Sequence, residues 1–170
     1  MTTELMTADW IRRIVDDERK RDAARAQEED TARRKDELIR LNGRRLLDEL
    51  RTTVTRDAAA FRAEFAGDPA RGVVVDAIDT ATGGFVVRKP GAPAVMLTVV
   101  PHPETAAINS LYQFTSKSGL PPREERVELA FVPDAAGALQ IKIQRTGQVF
   151  TTAEALSEYL MGPVFTGRPR

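Results

Sequence analysis

Cysteine is absent from this chain of 170 residues. Without a thiol, the protein has no disulfide, no thiolate ligand for zinc or iron–sulfur clusters and no cysteine nucleophile. Histidine is nearly as scarce, because His102 is the only one. His102 and Glu104 together supply two metal ligands, fewer than a complete site needs, and the prolines at 101 and 103 are typical of a stiff turn between strands. We therefore expect no catalytic residue, no metal site and no cofactor. An enzyme that uses His102 and Glu104 is the least favoured alternative.

Long apolar runs are also missing. The longest run, residues 94–100, is interrupted by Thr98 and is far shorter than the ~20 residues that cross a bilayer. The first ten residues have neither the positive start nor the apolar centre of a secretory signal. The sequence therefore predicts a cytoplasmic protein without a membrane partner.

An excess of charge of one sign is missing as well. Residues 1–71 carry 16 basic and 16 acidic side chains, and residues 72–170 carry nine of each. Basic pairs such as Arg33 and Arg34 have acidic side chains within one helical turn, which cancel the field that a phosphate backbone would experience. The balance argues against nucleic acid as a partner.

Charged residues are concentrated in one segment. Between Asp16 and Glu37, 16 of 22 residues are charged, and the only apolar side chains are alanines. Opposite charges recur four residues apart, as at Asp30 and Arg34, and each such pair stabilises a helix by ~0.2–0.5 kcal/mol. Since no glycine or proline interrupts the segment, it is predicted to be a helix without an apolar face of its own.

Large apolar residues return on both sides of the charged segment. Before it, Trp10, Ile11, Ile14 and Val15 form a short stripe at helical spacing. After it, a longer stripe follows in steps of three and four residues: Leu46, Leu47, Leu50, Val54, Ala58, Phe61 and Phe65. These patterns predict helix over residues 8–66, with Asn42 and Gly43 as the one place where it could break.

From Gly72 onward the apolar period changes from helical to alternating. Val127, Leu129 and Phe131, for example, alternate with Glu128 and Ala130, which is typical of a strand with one buried face. Turn signals separate six predicted strands, at residues 72–79, 84–89, 94–100, 107–116, 125–133 and 138–145. The short connections favour an antiparallel meander.

A last helix is predicted from a capping box at residues 151–154, and Gly162 and Pro163 are expected to end it. The predicted fold is therefore α+β, with a long N-terminal helix that is either continuous or broken at Asn42 and Gly43, a six-stranded antiparallel meander and a short C-terminal helix. We divide it into a charged helical arm, residues 1–43, and a globular domain, residues 44–170.

The length of the predicted helix leads to the first functional hypothesis. A helix over residues 8–66 would be ~85 Å long, whereas a domain of about 100 residues has a radius of gyration near ~13 Å. If the arm projects, Trp10, Ile11, Ile14 and Val15 are exposed unless a partner covers them. We therefore expect a non-enzymatic interaction or assembly module that docks on a second copy, most simply as a homodimer, or on another protein.

The second hypothesis is a small-molecule-binding domain with a pocket between the antiparallel sheet and the helices. Tyr112, Gln113 and Tyr159 would supply the polar groups of such a pocket. A cavity of several hundred Å³ lined by these residues would favour this function, and a tightly filled core would argue against it.

Overall fold

The computed structural model describes residues 8–91, 93–115 and 119–170 of the chain. The chain divides into two compact units, Met1–Lys35 and Asp36–Arg170. The described part contains the helices α1 (Asp9–Glu64) and α2 (Ala153–Thr166) and the strands β1 (Val74–Asp79), β2 (Gly84–Lys89), β3 (Ala94–His102), β4 (Ala107–Thr115), β5 (Arg123–Pro133), β6 (Leu139–Ile143) and β7 (Val149–Phe150).

The strands form one seven-stranded sheet in the order β1-β2-β3-β4-β5-β6-β7. Every neighbouring pair is antiparallel, so the sheet is a simple meander. The predicted α+β fold is confirmed, with one strand more than expected. The extra strand, β7, has only two residues, which is too short to show an alternating pattern. Ser116, the last residue of the predicted fourth strand, lies outside the described residues.

Helix α1 is continuous through Asn42 and Gly43. In the first unit, none of the described side chains is buried, and ion pairs such as Arg34 with Asp30, at 3.0 Å, connect successive turns. In the second unit, the same helix buries Leu47, Leu50 and other residues of the predicted stripe. The charged segment is therefore helical without a buried face, as its pairing pattern predicts.

One face of the sheet packs against helix. The core joins the α1 side chains of residues 36–64 to the inward side chains of β2 to β7 and to Leu156 and Leu160 of α2. The Tyr112 hydroxyl donates a hydrogen bond of 2.6 Å to the Leu160 carbonyl, which ties β4 to α2. The Ser157 hydroxyl donates to the Asp57 carboxylate at 2.7 Å, which ties α2 to α1. Both helical segments of the second unit therefore belong to one core.

The prediction that Gly162 and Pro163 end the last helix is wrong, because α2 continues to Thr166 with Pro163 inside it. Proline has no N–H, so the carbonyl four residues earlier, that of Tyr159, loses its helical donor. The Arg170 guanidinium donates a hydrogen bond to this carbonyl instead. The helix ends at Gly167, whose φ of 70° is left-handed and whose N–H donates to the Pro163 carbonyl at 2.9 Å.

Gly43 lies inside α1 with room for a methyl group. A Cβ atom there would lie 3.4 Å from the Ile39 Cγ2 atom and 3.5 Å from the Phe131 Cζ atom, both ordinary contacts. No steric constraint requires glycine at this position, and glycine destabilises the helix because it loses more conformational entropy on folding than alanine does.

We predict that Gly43→Ala stabilises the protein by about 1 kcal/mol, because alanine has the higher helix propensity and its methyl group fits against Phe131. Urea denaturation measures the change. Gly67→Ala is the matched control: at φ +85° the same substitution is strained and should destabilise. A loss of stability in Gly43→Ala would contradict a continuous helix.

Candidate functional site

The four apolar residues at the start of α1 are all exposed. Trp10, Ile11, Ile14 and Val15 have exposed fractions of 58%, 36%, 52% and 38%. Because Trp10 and Ile14, like Ile11 and Val15, are four residues apart in a helix, they form one continuous face. We call these four residues the apolar tip. A contiguous apolar surface with an aromatic side chain is typical of association sites.

Charged side chains border the apolar tip. Glu18 lies one turn after Ile14 and Val15, and it accepts a hydrogen bond of 2.9 Å from the guanidinium of Arg21. Arg12 lies within the tip segment and is exposed. The tip therefore carries a charge of each sign at its edge and can select a partner by charge as well as by shape.

A second apolar surface lies on the sheet. The face of β2, β3 and β4 that points away from the helical segments of residues 36–170 carries Val86, Met96, Thr98, Val100 and Leu111. Within the described part of the chain, none of these five side chains joins the hydrophobic core. We call these residues the open sheet face.

Strand register brings the open sheet face together. Val86 pairs with Thr98, and Thr98 pairs with Leu111 on the next strand, so these three side chains form one row across the sheet. The row continues to Arg126 on β5. In the next row on the same face, Val100 on β3 lies beside Asn109 on β4.

A groove of about 310 Å³ runs along the open sheet face. Its outward-pointing lining consists of an apolar floor and a polar rim: Thr98, Val100, His102, Asn109, Leu111, Arg126 and Glu128. The volume is at the lower end of the range of small-molecule pockets, about 300–1,000 Å³.

The sequence contains a signal for this second surface. Residues 94–100, the longest apolar run, form most of β3, and their side chains alternate between the core and the open sheet face. An antiparallel strand with one wet face alternates apolar with polar residues, whereas a strand that is apolar on both sides is typical of a sheet covered on both faces. A strand was predicted at this run, but an apolar second face of the sheet was not.

The three residues predicted for a small-molecule pocket do not converge. Tyr112 is fully buried in the core, whereas the neighbouring Gln113 points to the other face and its amide donates to the Glu124 carboxylate at 3.3 Å. Tyr159 lies on α2, with the Arg170 guanidinium 3.5 Å from its ring centre. A cavity of about 170 Å³ does lie between α1, β6, β7 and the start of α2, but other residues line it.

His102 and Glu104 are both exposed, at the end of β3 and in the turn that follows. Within residues 8–91, 93–115 and 119–170, no three histidine, aspartate or glutamate side chains are grouped so that they could hold a metal ion. Among the same residues, no helix is both long enough and apolar enough to cross a membrane.

Comparison of the chain with models of protein families, with curated proteins and with solved structures finds no match in any of the three. Functional inference therefore depends on the two apolar surfaces.

Burial raises the pKa of the Tyr112 phenol well above its ordinary value of 10.0. The folded protein therefore keeps this proton at a pH at which the unfolded chain releases it. The stability that the neutral phenol contributes is fully present below pH 10 and is lost as the pH rises above it.

We predict that Tyr112→Phe costs about 1 kcal/mol at pH 7, because the hydrogen bond to Leu160 is lost. Above pH 10 the deficit should shrink and then reverse, because only the wild-type chain is destabilised by ionisation of this phenol. Urea denaturation of both proteins from pH 6 to pH 11 measures the difference. It should be constant between pH 6 and 8, and a constant difference over the whole range would contradict the raised pKa.

Proposed function

We propose that the protein is a cytoplasmic, non-enzymatic assembly module that forms a homodimer through the apolar tip. The observation that supports this function is the exposure of Trp10, Ile11, Ile14 and Val15 on a helical segment that buries no described side chain within its own unit. A solvated helix rarely exposes four large apolar side chains on one face. Their removal from water is favourable, and it requires another surface that covers them.

The magnitude of that gain favours a dimer with two equivalent contacts. Full burial of one large apolar side chain is favourable by about 1.5–3 kcal/mol. One tip thus yields several kcal/mol, which the cost of association, about 4–15 kcal/mol, largely cancels. A two-fold dimer buries two tips for a single association cost, and it is the commonest symmetric assembly.

The charged segment that follows the tip fits this function. Its acidic and basic side chains pair with each other along the helix, as Arg21 does with Glu18. The segment therefore offers neither an apolar surface nor a net field to a partner, and the specific contact is confined to the tip.

Trp10 makes the proposal directly measurable, since it is the only tryptophan of the chain. Its fluorescence reports the environment of the tip and of no other part of the protein. Emission should shift to shorter wavelength as the protein concentration rises and the indole leaves water.

We predict that the double variant Trp10→Ser and Ile14→Ser is monomeric at concentrations at which the wild type is a dimer, with dimer affinity reduced at least tenfold. Light scattering over a concentration series measures the mass. Leu120→Ser, at a similarly exposed leucine outside α1, is the matched control and should leave the dimer intact. A wild-type chain that stays monomeric at every concentration, with Trp10 emission typical of indole in water, would overturn the proposed function.

A further inference from the structure

We propose that the apolar tip of one copy docks on the open sheet face of a second copy, so that the dimer closes by reciprocal exchange of tips. This inference rests on the proposed function and identifies the surface that receives the tip. Each chain contributes one tip and one sheet face, and two copies satisfy all four surfaces under a two-fold axis.

The composition of the open sheet face shows that it suits an apolar partner. Outward positions of a solvated antiparallel sheet are normally polar, but here Val86, Met96, Val100 and Leu111 occupy them. Val86 is only 6% exposed, so neighbouring side chains already cover it, and the apolar part of the groove consists of Val100 and Leu111. An apolar floor with polar residues around it is the usual organisation of a protein–protein contact.

The dimensions of the two surfaces match. Val86, Thr98 and Leu111 lie on three adjacent strands, which are about 4.8 Å apart, so the row spans about 10 Å. A helix with its side chains is about 10–12 Å wide, so one helical face covers this row. The groove of about 310 Å³ beside Thr98 and Leu111 has room for the indole of Trp10.

The charges at the edges of the two surfaces are complementary. The rim of the groove carries Arg126 and Glu128, which lie on the same face of β5 and are exposed. The edge of the tip carries Glu18 and Arg12. Docking can therefore bring Arg12 towards Glu128 and Glu18 towards Arg126 at the β5 edge of the groove, which favours one orientation of the helix over the reverse.

A second copy is the occupant that these observations favour over a small molecule. A ligand pocket buries most of its ligand, but this groove is an open row of side chains on three strands, which is the shape that a helix requires. The chain itself carries an exposed apolar helical face, the apolar tip, and in a homodimer this face is present in equal number with the groove.

The absence of cysteine allows a direct test by cross-linking. One preparation carries Ile11→Cys, which keeps Trp10, and a second, with a mass tag, carries Thr98→Cys. After mixing and mild oxidation, we expect a disulfide-linked heterodimer of the two chains, because a bridge requires Cα atoms within about 7 Å. A chain with Ala136→Cys, in the exposed turn between β5 and β6, is the matched control and should give little cross-linked product.

A second variant tests the energetics. Leu111→Lys, at a partly exposed position, should weaken the dimer at least tenfold and shift Trp10 emission back to longer wavelength. Ala136→Lys should do neither. Circular dichroism of Leu111→Lys verifies that the sheet is folded, and the cross-linking result does not depend on this variant.

The outcomes separate the two proposals. A dimer with buried Trp10 that neither cross-links at Thr98 nor responds to Leu111→Lys overturns the reciprocal exchange but leaves the tip-mediated homodimer intact. A monomer overturns both. Native mass spectrometry of the purified protein tests whether a small molecule occupies the groove instead. A bound small molecule that Leu111→Lys removes without a change in oligomeric state would also overturn the exchange.

Discussion

Both helical segments of residues 36–170 pack on the same face of the sheet. In a meander, alternate residues of every strand point to opposite faces, so these two segments can cover only about half of the strand side chains. The buried hydrogen bond from the Tyr112 hydroxyl to the Leu160 carbonyl ties α2 to this face, where Leu156 and Leu160 join the core. The remaining features follow from this asymmetry. The covered face carries the hydrophobic core, with a cavity of about 170 Å³ beside β6 and β7, and the other face keeps partly exposed apolar side chains on β3 and β4.

The secondary structure could largely be predicted from the sequence, because it depends on local periodicity. The i,i+4 charge pairs and the two apolar stripes predict the helical region of α1, and the alternating strands predict the antiparallel sheet. Two local features were not predictable in the same way. Strand β7 is defined by its pairing with β6, not by a pattern of its own. At Pro163, which lies inside α2, the guanidinium of Arg170, beyond the end of the helix, donates to the Tyr159 carbonyl in place of the missing N–H, and a local helical pattern does not predict this contact.

The two candidate surfaces differ in how far the sequence predicts them. The apolar tip could be predicted, since its four residues are close in sequence and share one helical face. The open sheet face depends on the register of three strands, which brings Val86, Thr98 and Leu111 into one row although they are far apart along the chain. The alternative pocket at Tyr112, Gln113 and Tyr159 was predicted from residue type alone. The register shows that Tyr112 and Gln113, as consecutive strand residues, point to opposite faces.

Because the ion pairs of α1 are exposed, the stability of this helix depends on ionic strength. Pairs such as Arg34 with Asp30 are solvent-accessible, so dissolved salt screens them over a Debye length of about 8 Å at physiological concentration. Screening weakens the helix that carries the apolar tip, whereas salting-out ions would strengthen a contact that buries the tip. Screening acts already at low salt, whereas salting-out requires high concentrations, so the proposed homodimer should be weakest at an intermediate salt concentration.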